Sequence, residues 1–128
     1  MSLKSPLGRV LGLGSAGMGT EHWLGQRLSA VAMVPLTLWF ALSLLALPAL
    51  DFHAVNGWVA VPLHAVLLVL LLVALVYHSS LGTQVVVEDY VHAPGLRAAT
   101  LIFLRLSHIV LAVAGIFAVF LIATRPPV

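Results

Sequence analysis

The chain has 128 residues, of which 62% are hydrophobic and 8% are charged, and its mean hydropathy is +1.14. Soluble domains carry roughly 25% charged residues, so this composition indicates a protein that lies in lipid. Six Lys and Arg residues against four Asp and Glu residues give a net charge of +2. So few cations leave no basic patch for phosphates, which argues against a nucleic-acid partner. Because cysteine is absent, disulfides, thiolate zinc sites and Cys-ligated iron–sulfur clusters within the chain are excluded.

Three long apolar stretches follow a Gly- and Ser-rich beginning, which is predicted to be a flexible tail over residues 1–20. Each stretch exceeds the roughly 20 residues that cross a bilayer. The predicted fold class is therefore an all-α membrane protein with three transmembrane helices in one domain, residues 21–128. The predicted helices cover about residues 24–50, 59–87 and 98–124.

Polar segments separate the three apolar stretches. Pro48–Gly57 and Glu88–Arg97 contain Pro, Gly and acidic residues and are predicted to be connecting loops. Pro35 falls inside the first predicted helix, where proline in a membrane segment usually gives a kink rather than a break. The residues RPPV after Thr124 are predicted to end the third helix.

The distribution of cations predicts an orientation. Lys4, Arg9 and Arg27 precede the first apolar stretch, and Arg97 lies between the second and third. The first loop has no Lys or Arg, and only Arg125 follows the third stretch. The positive-inside rule then places the N-terminus and the second loop in the cytoplasm, or in the mitochondrial matrix, and the C-terminus outside the inner membrane.

His78 lies deep in the second apolar stretch, where an ionisable residue is costly without a role. One interpretation is a hydrogen bond to a neighbouring helix. The other is an axial haem ligand, since neutral imidazole binds haem iron well. Gly82 follows one turn later on roughly the same face. It would let a flat macrocycle approach the backbone, although close helix packing explains it equally well.

Asp89 and Tyr90 follow His78 by eleven and twelve residues, at the predicted cytoplasmic end of the second helix. Tyr is common at membrane interfaces and acidic residues are ordinary in loops, so the pair needs no special role. The functional interpretation is a quinone site. The Tyr90 hydroxyl can donate to a quinone carbonyl, and Asp89 could orient Tyr90 or relay protons.

The remaining candidates are cations and histidines near the spans. Arg27 is interpreted as an interfacial anchor aided by Trp23, or as a partner of a haem propionate or of Asp89. Arg105 needs an anionic or carbonyl partner if it lies within the membrane, and His108 follows three residues later on the same side. His64 is predicted to be a hydrated histidine at the outer end of the second helix.

Together these residues resemble the smaller membrane-anchor subunit of succinate dehydrogenase, respiratory complex II. Three predicted helices carry H-x-x-x-G on the second, as His78 and Gly82, with the Asp89–Tyr90 pair at the matching spacing. An Arg at the start of the first helix lies in HWLGQRLSA, as Arg27 with Ser29 downstream. The resemblance covers the chain from Glu21 onward.

The resemblance implies a site shared between subunits. His78 would be one axial ligand of a b-type haem, and the larger cytochrome b anchor subunit would supply the other. Tyr90 would hydrogen-bond ubiquinone with support from Asp89, and Arg27 would lie near the haem propionates and the quinone. The iron–sulfur and flavoprotein subunits would dock on the cytoplasmic face and deliver electrons from succinate, so this chain would be a non-catalytic subunit within a multi-subunit helical bundle.

Three alternatives stay open on the residues alone. A non-catalytic scaffold or assembly protein would use His78 and Arg105 only for helix packing. A small transporter or proton-conducting subunit would use Arg105, His108 and His78 as a polar path. The anchor of a fumarate reductase would run the same chemistry in reverse, and the sequence does not separate the two directions.

Overall fold

Residues 19–124 are described by a computed structural model, and they form four helices. These are α1 (Gly19–Leu45), α2 (Phe52–Val59), α3 (Pro62–Tyr90) and α4 (Pro94–Thr124). The three long helices, of 27, 29 and 31 residues, are apolar and long enough to cross a membrane. The predicted all-α fold with three membrane-spanning helices is thus confirmed.

Helix α1 begins and ends earlier than predicted. Gly19 and Thr20, assigned from the sequence to the flexible tail, are already helical, and residues 1–18 lie outside the described part. The helix runs through Pro35 without interruption and ends at Leu45 rather than near residue 50. Apolar composition therefore overestimates the helix at its C-terminal end, because the apolar stretch continues into the turn before Asp51.

The predicted first loop contains a short helix, so the assignment of Pro48–Gly57 as a connection was wrong for its second half. Helix α2 begins after Asp51, whose carboxylate accepts a hydrogen bond of 2.8 Å from the backbone N–H of Ala54. This N-cap satisfies one of the free N–H groups of the first turn. A two-residue turn then leads to Pro62, which starts α3 with the fixed backbone angle that suits a first helical turn.

The predicted second loop, Glu88–Arg97, is mostly helical as well. Helix α3 continues to Tyr90 and α4 begins at Pro94, so the connection contains only residues 91–93. The polar residues at the end of α3 are exposed and do not oppose a further helical turn. Pro94 at the start of α4 marks the change of direction more sharply than the charges around it.

Helix α3 is the central element of the fold. It packs against both α1 and α4, which do not contact each other within residues 19–124, and α2 touches α3 and α4. Small residues permit the close contacts. A Cβ atom at Gly25 would lie 2.6 Å from the Tyr77 hydroxyl, and one at Gly115 would lie 2.5 Å from Leu72 Cδ2.

The three long helices form an open row rather than a closed bundle. In the described part no large side chain is fully buried, and Trp58 and Val59 are among the few buried apolar residues. Leu, Val, Ile and Phe side chains project from the outer faces of α1 and α4 along most of their length. Lipid or other protein chains must cover these faces, since water cannot solvate them favourably.

Candidate functional site

His78 lies half-buried at the contact between α1 and α3. Both of its ring nitrogens face polar side chains of α1. The Nε2 atom is 3.2 Å from the amide nitrogen of Gln26, and the Nδ1 atom is 3.1 Å from the hydroxyl oxygen of Ser29. The predicted intramembrane histidine is therefore hydrogen-bonded, by partners 52 and 49 positions away in the chain.

These contacts define the tautomer of His78. An amide nitrogen can only donate, so His78 Nε2 accepts from Gln26 and the ring proton resides on Nδ1. The Nδ1–H then donates to Ser29 Oγ, whose own proton is donated to the backbone carbonyl of Gly25 at 2.8 Å. The two contacts therefore agree on one tautomer, with the ring proton on Nδ1 and the lone pair of Nε2 facing Gln26.

The Gln26 side chain lies across Gly82, where a Cβ atom would sit 3.6 Å from the Gln26 amide nitrogen. Within residues 19–124, Gln26 Oε1 and His22 Nε2 are buried without a hydrogen-bond partner. Gln26 and His22 both line a groove of about 980 Å³ that also includes Glu88 and Arg105. Buried polar atoms are normally paired, so this groove lacks a polar group that another molecule or chain would supply.

Residues 19–124 do not form a complete metal site by themselves. Among the described residues, no group of three or more His, Asp or Glu side chains could hold a metal ion. A metal bound at His78 therefore needs its other ligands from outside residues 19–124.

Arg27 precedes this site on α1 but points elsewhere. Its side chain is exposed, and the guanidinium lies 5.5 Å from the centre of the Trp23 ring, a cation–π contact. The residues that touch His78 are Gln26 and Ser29. Ser29 belongs to the sequence motif around Arg27, whereas Gln26 was not among the residues predicted for the site. The available signal was the spacing, because polar residues at i and i+3 share one face of a helix.

Asp89 and Tyr90 are the last residues of α3, and both are exposed, Tyr90 with 79% of its surface accessible. The His92 ring donates to the Tyr90 carbonyl at 3.2 Å. Neither Asp89 nor Tyr90 lines the groove beside His78, which ends at Glu88 on this helix. Eleven residues of helix separate Asp89 from His78, or about 16 Å along the axis. The structure therefore keeps the two predicted sites apart on one helix.

Arg105 and His108 line a second groove, of about 560 Å³, between α3 and α4. His108 Nδ1 donates to the Leu104 carbonyl at 2.7 Å, and its Nε2 accepts from the Ser79 hydroxyl at 3.1 Å. His108 is thus bonded to its own helix through Nδ1 and to Ser79 of α3 through Nε2, and these contacts join α4 to α3. Arg105 is exposed and borders both grooves.

His64, predicted to be a hydrated interfacial residue, lies in the first turn of α3. It is half-buried, and its Nδ1 donates to the Trp58 carbonyl at 2.8 Å. The ring centre of His64 lies 4.9 Å from that of Trp58 and 5.9 Å from that of Trp39. The turn between α2 and α3 brings the rings of Trp58 and His64 together, and Trp39 of α1 packs against both, so His64 ties α2 to the start of α3.

Comparison with known proteins places the chain in a family. Residues 1–100 match the family model described as succinate dehydrogenase/fumarate reductase transmembrane subunit. The chain belongs to this family. It is similar to the succinate dehydrogenase hydrophobic membrane anchor subunit of Rickettsia bellii, with 36% identity over 107 residues, 84% of this chain and 86% of the relative.

Two further relatives with the same description extend this match. The subunit from Rickettsia conorii is 31% identical over 118 residues, which cover 91% of this chain and 94% of the relative. The one from Paracoccus denitrificans is 32% identical over 92 residues, 72% of this chain and 70% of the relative. The resemblance to the succinate dehydrogenase anchor subunit is thus confirmed, and the chain is an integral membrane member of the succinate dehydrogenase/fumarate reductase transmembrane subunit family.

Proposed function

We propose that this anchor subunit supplies His78 as one axial ligand of a b-type haem and Tyr90, with Asp89, as part of a ubiquinone-reduction site. The haem proposal rests on the tautomer of His78. Its proton is on Nδ1, bonded to Ser29, and its unprotonated Nε2 accepts only from the Gln26 amide, which iron would have to displace. Haem iron binds a neutral imidazole nitrogen in this form.

The surroundings of His78 fit the group. Gln26 contacts Nε2 through a flexible side chain whose Oε1 has no partner in the described part, so little holds the amide there when iron binds. Gly82 leaves the neighbouring surface of α3 free of a side chain. When bound, haem supplies a one-electron redox centre. The larger cytochrome b anchor subunit would provide the second axial ligand.

Arg27 would supply the positive charge for this cofactor. Its guanidinium is exposed at the same end of α1 as Gln26 and rests on Trp23, which holds it near the membrane surface without satisfying its hydrogen-bond donors. A haem propionate or a quinone oxygen within reach would pair with it. The wide exposure of Arg27 in the single chain is consistent with a partner contributed by the assembled complex.

The proposed quinone site lies at the end of α3. The Tyr90 hydroxyl is exposed and can donate to a quinone carbonyl, while the neighbouring Asp89 carboxylate can accept from Tyr90 or take part in the uptake of two protons on reduction to quinol. The iron–sulfur and flavoprotein subunits would cover this surface and complete the pocket. The chain would thus contribute part of the quinone site and would not contribute to the succinate site.

One experiment tests the assembly and the haem together. The complex is purified from membranes in mild detergent, its subunits are identified, and a reduced-minus-oxidised spectrum is recorded. We expect a b-type spectrum that His78→Ala abolishes or perturbs and that His108→Ala leaves intact, because His108 lies between α3 and α4 and away from Gln26 and Ser29. An unchanged spectrum in His78→Ala would remove His78 as a ligand.

A further inference from the structure

We infer that Ser29 is a positioning residue for His78. It accepts the Nδ1–H of the imidazole and thereby fixes both the tautomer and the rotation of the ring, with Nε2 presented to the iron. The inference rests on the proposed haem ligation by His78. Ser29 of α1 would thus provide the orientation of the imidazole, which His78 does not fix by itself.

Ser29 is held in place for this role. It is the buried polar residue of the described chain, with 6% of its surface accessible. Its hydroxyl donates to the carbonyl of Gly25 at 2.8 Å and lies 3.1 Å from that of Gln26. Because the hydroxyl proton is committed to the α1 backbone, the oxygen lone pairs face α3, where His78 Nδ1 lies 3.1 Å away.

Bonding to its own helix does not by itself explain Ser29. Thr37, two turns further along α1, makes the same pair of backbone contacts, 2.7 Å to the Met33 carbonyl and 3.2 Å to that of Val34. Thr37 is exposed. The two hydroxyls therefore differ in burial and in the histidine that faces only one of them. Thr37 is a matched control on the same helix.

Elementary chemistry favours a hydroxyl at this place. A histidine that ligates a metal through one ring nitrogen generally donates the N–H of the other nitrogen to an acceptor, which orients the ring and raises its basicity. A carboxylate acceptor would bring a charge into an apolar helix contact at considerable cost. A serine that is neutral and anchored to its own backbone provides the acceptor without that charge, at a distance set by the packing of α1 on α3.

Loss of this acceptor has two measurable effects. The imidazole would donate less electron density, so the ferric state would lose stabilisation and the midpoint potential of the haem would rise. The ring would also be less well oriented, and loss of such a partner typically weakens metal affinity roughly 10- to 100-fold. Both effects leave the ligands themselves unchanged.

The test uses the intact complex with the variants Ser29→Ala, Ser29→Thr and Thr37→Ala. Redox titration gives the midpoint potential, and transfer of haem to excess apomyoglobin gives the rate of haem loss. We expect Ser29→Ala to keep a His78-dependent b-type spectrum, raise the midpoint potential and lose haem roughly 10- to 100-fold faster. Ser29→Thr should restore both values, and Thr37→Ala should match the unaltered complex.

The outcomes separate this inference from the proposed function. If Ser29→Ala matches Thr37→Ala in potential and in haem loss while His78→Ala still abolishes the spectrum, Ser29 has no positioning role. If His78→Ala retains the spectrum, the haem ligation itself is wrong. If Ser29→Ala does not assemble, Ser29→Cys serves instead, because it keeps the volume and weakens the acceptor. An unshifted potential in Ser29→Cys then overturns the inference.

Discussion

Three histidines lie within α3 and α4, and the groups around their ring nitrogens distinguish them. His64 and His108 each donate from Nδ1 to a backbone carbonyl, and His108 also accepts from the Ser79 hydroxyl. His78 donates to a buried hydroxyl and accepts only from a flexible amide. Of the three, His78 alone has both ring nitrogens against side chains of a neighbouring helix, which is a distinction that residue type alone does not provide.

Tyr90 permits a prediction at the same scale. Tyr90→Phe should lower quinone reduction by roughly fivefold, since one hydrogen bond of about 1 kcal/mol to the quinone is lost. Succinate oxidation with an artificial soluble acceptor should be spared, because the exposed Tyr90 ring supports no packing in the chain. The two activities are measured on the purified complex. Tyr77→Phe, the other tyrosine of the chain, serves as the control.

Equal loss of both activities in Tyr90→Phe would contradict this assignment and indicate a defect of assembly. A loss in Tyr77→Phe as large as that in Tyr90→Phe would also contradict it. Tyr77 lies in the middle of α3 with its hydroxyl against Gly25, so its phenol belongs to helix packing.

The helices show which sequence signals decide an element and which do not. Length and apolar composition correctly predicted the existence of α1, α3 and α4. The ends of these helices were predicted less well. Polar composition indicated that α3 ends before Glu88 and that α4 begins only after Arg97, whereas the helices end at Tyr90 and begin at Pro94. Helix ends depend on caps and on proline, as Asp51 and Pro94 show, and a charged residue on an exposed face is compatible with helix.

The contact between α3 and α4 gives a prediction at the scale of the element. Gly115→Val should destabilise the packing by about 1–3 kcal/mol, because even a Cβ atom would lie 2.5 Å from Leu72 Cδ2. The expected result is a lower Tm of the purified complex. Adding Leu72→Ala should recover part of the loss. Gly95→Val, at a position where nothing lies within 4 Å of a Cβ atom, is the control.

If Gly115→Val and Gly95→Val lowered the Tm equally, the effect would come from the helix propensity of valine and not from the contact. If Leu72→Ala brought no recovery, the crowding would involve the backbone of α3 as a whole. Either result would contradict a specific glycine–leucine contact as the reason for the close approach of the two helices.

At the scale of the whole molecule, the open row of α1, α3 and α4 explains why this chain needs an assembly. A central helix with two neighbours that do not touch each other cannot enclose a core, and the described part has almost none. The faces of α1 and α4 and the unpaired atoms of His22 and Gln26 require lipid and partner chains. The cofactor and quinone sites proposed above both lie where such partners would complete them.

The orientation of the row can be tested directly because the chain contains no cysteine. We expect Ala49→Cys, between α1 and α2, to react with a membrane-impermeant maleimide added to spheroplasts, in which the outer face of the inner membrane is accessible. Ala93→Cys, between α3 and α4, should react only after permeabilisation, since the positive-inside rule places that connection in the cytoplasm. The reverse pattern would invert the topology and move the proposed quinone site to the outer surface.

The sequence by itself determined the class of this protein, the number of its membrane spans and its family. Composition and apolar length are properties of residues in order along the chain, and the His78, Asp89 and Tyr90 spacing lies on one continuous helix. The tertiary structure decided which groups meet the imidazole. Gln26 and Ser29 reach His78 only through the packing of α1 on α3, across 52 and 49 positions of sequence. No local pattern encodes that distance, because it depends on how two separate helices approach each other.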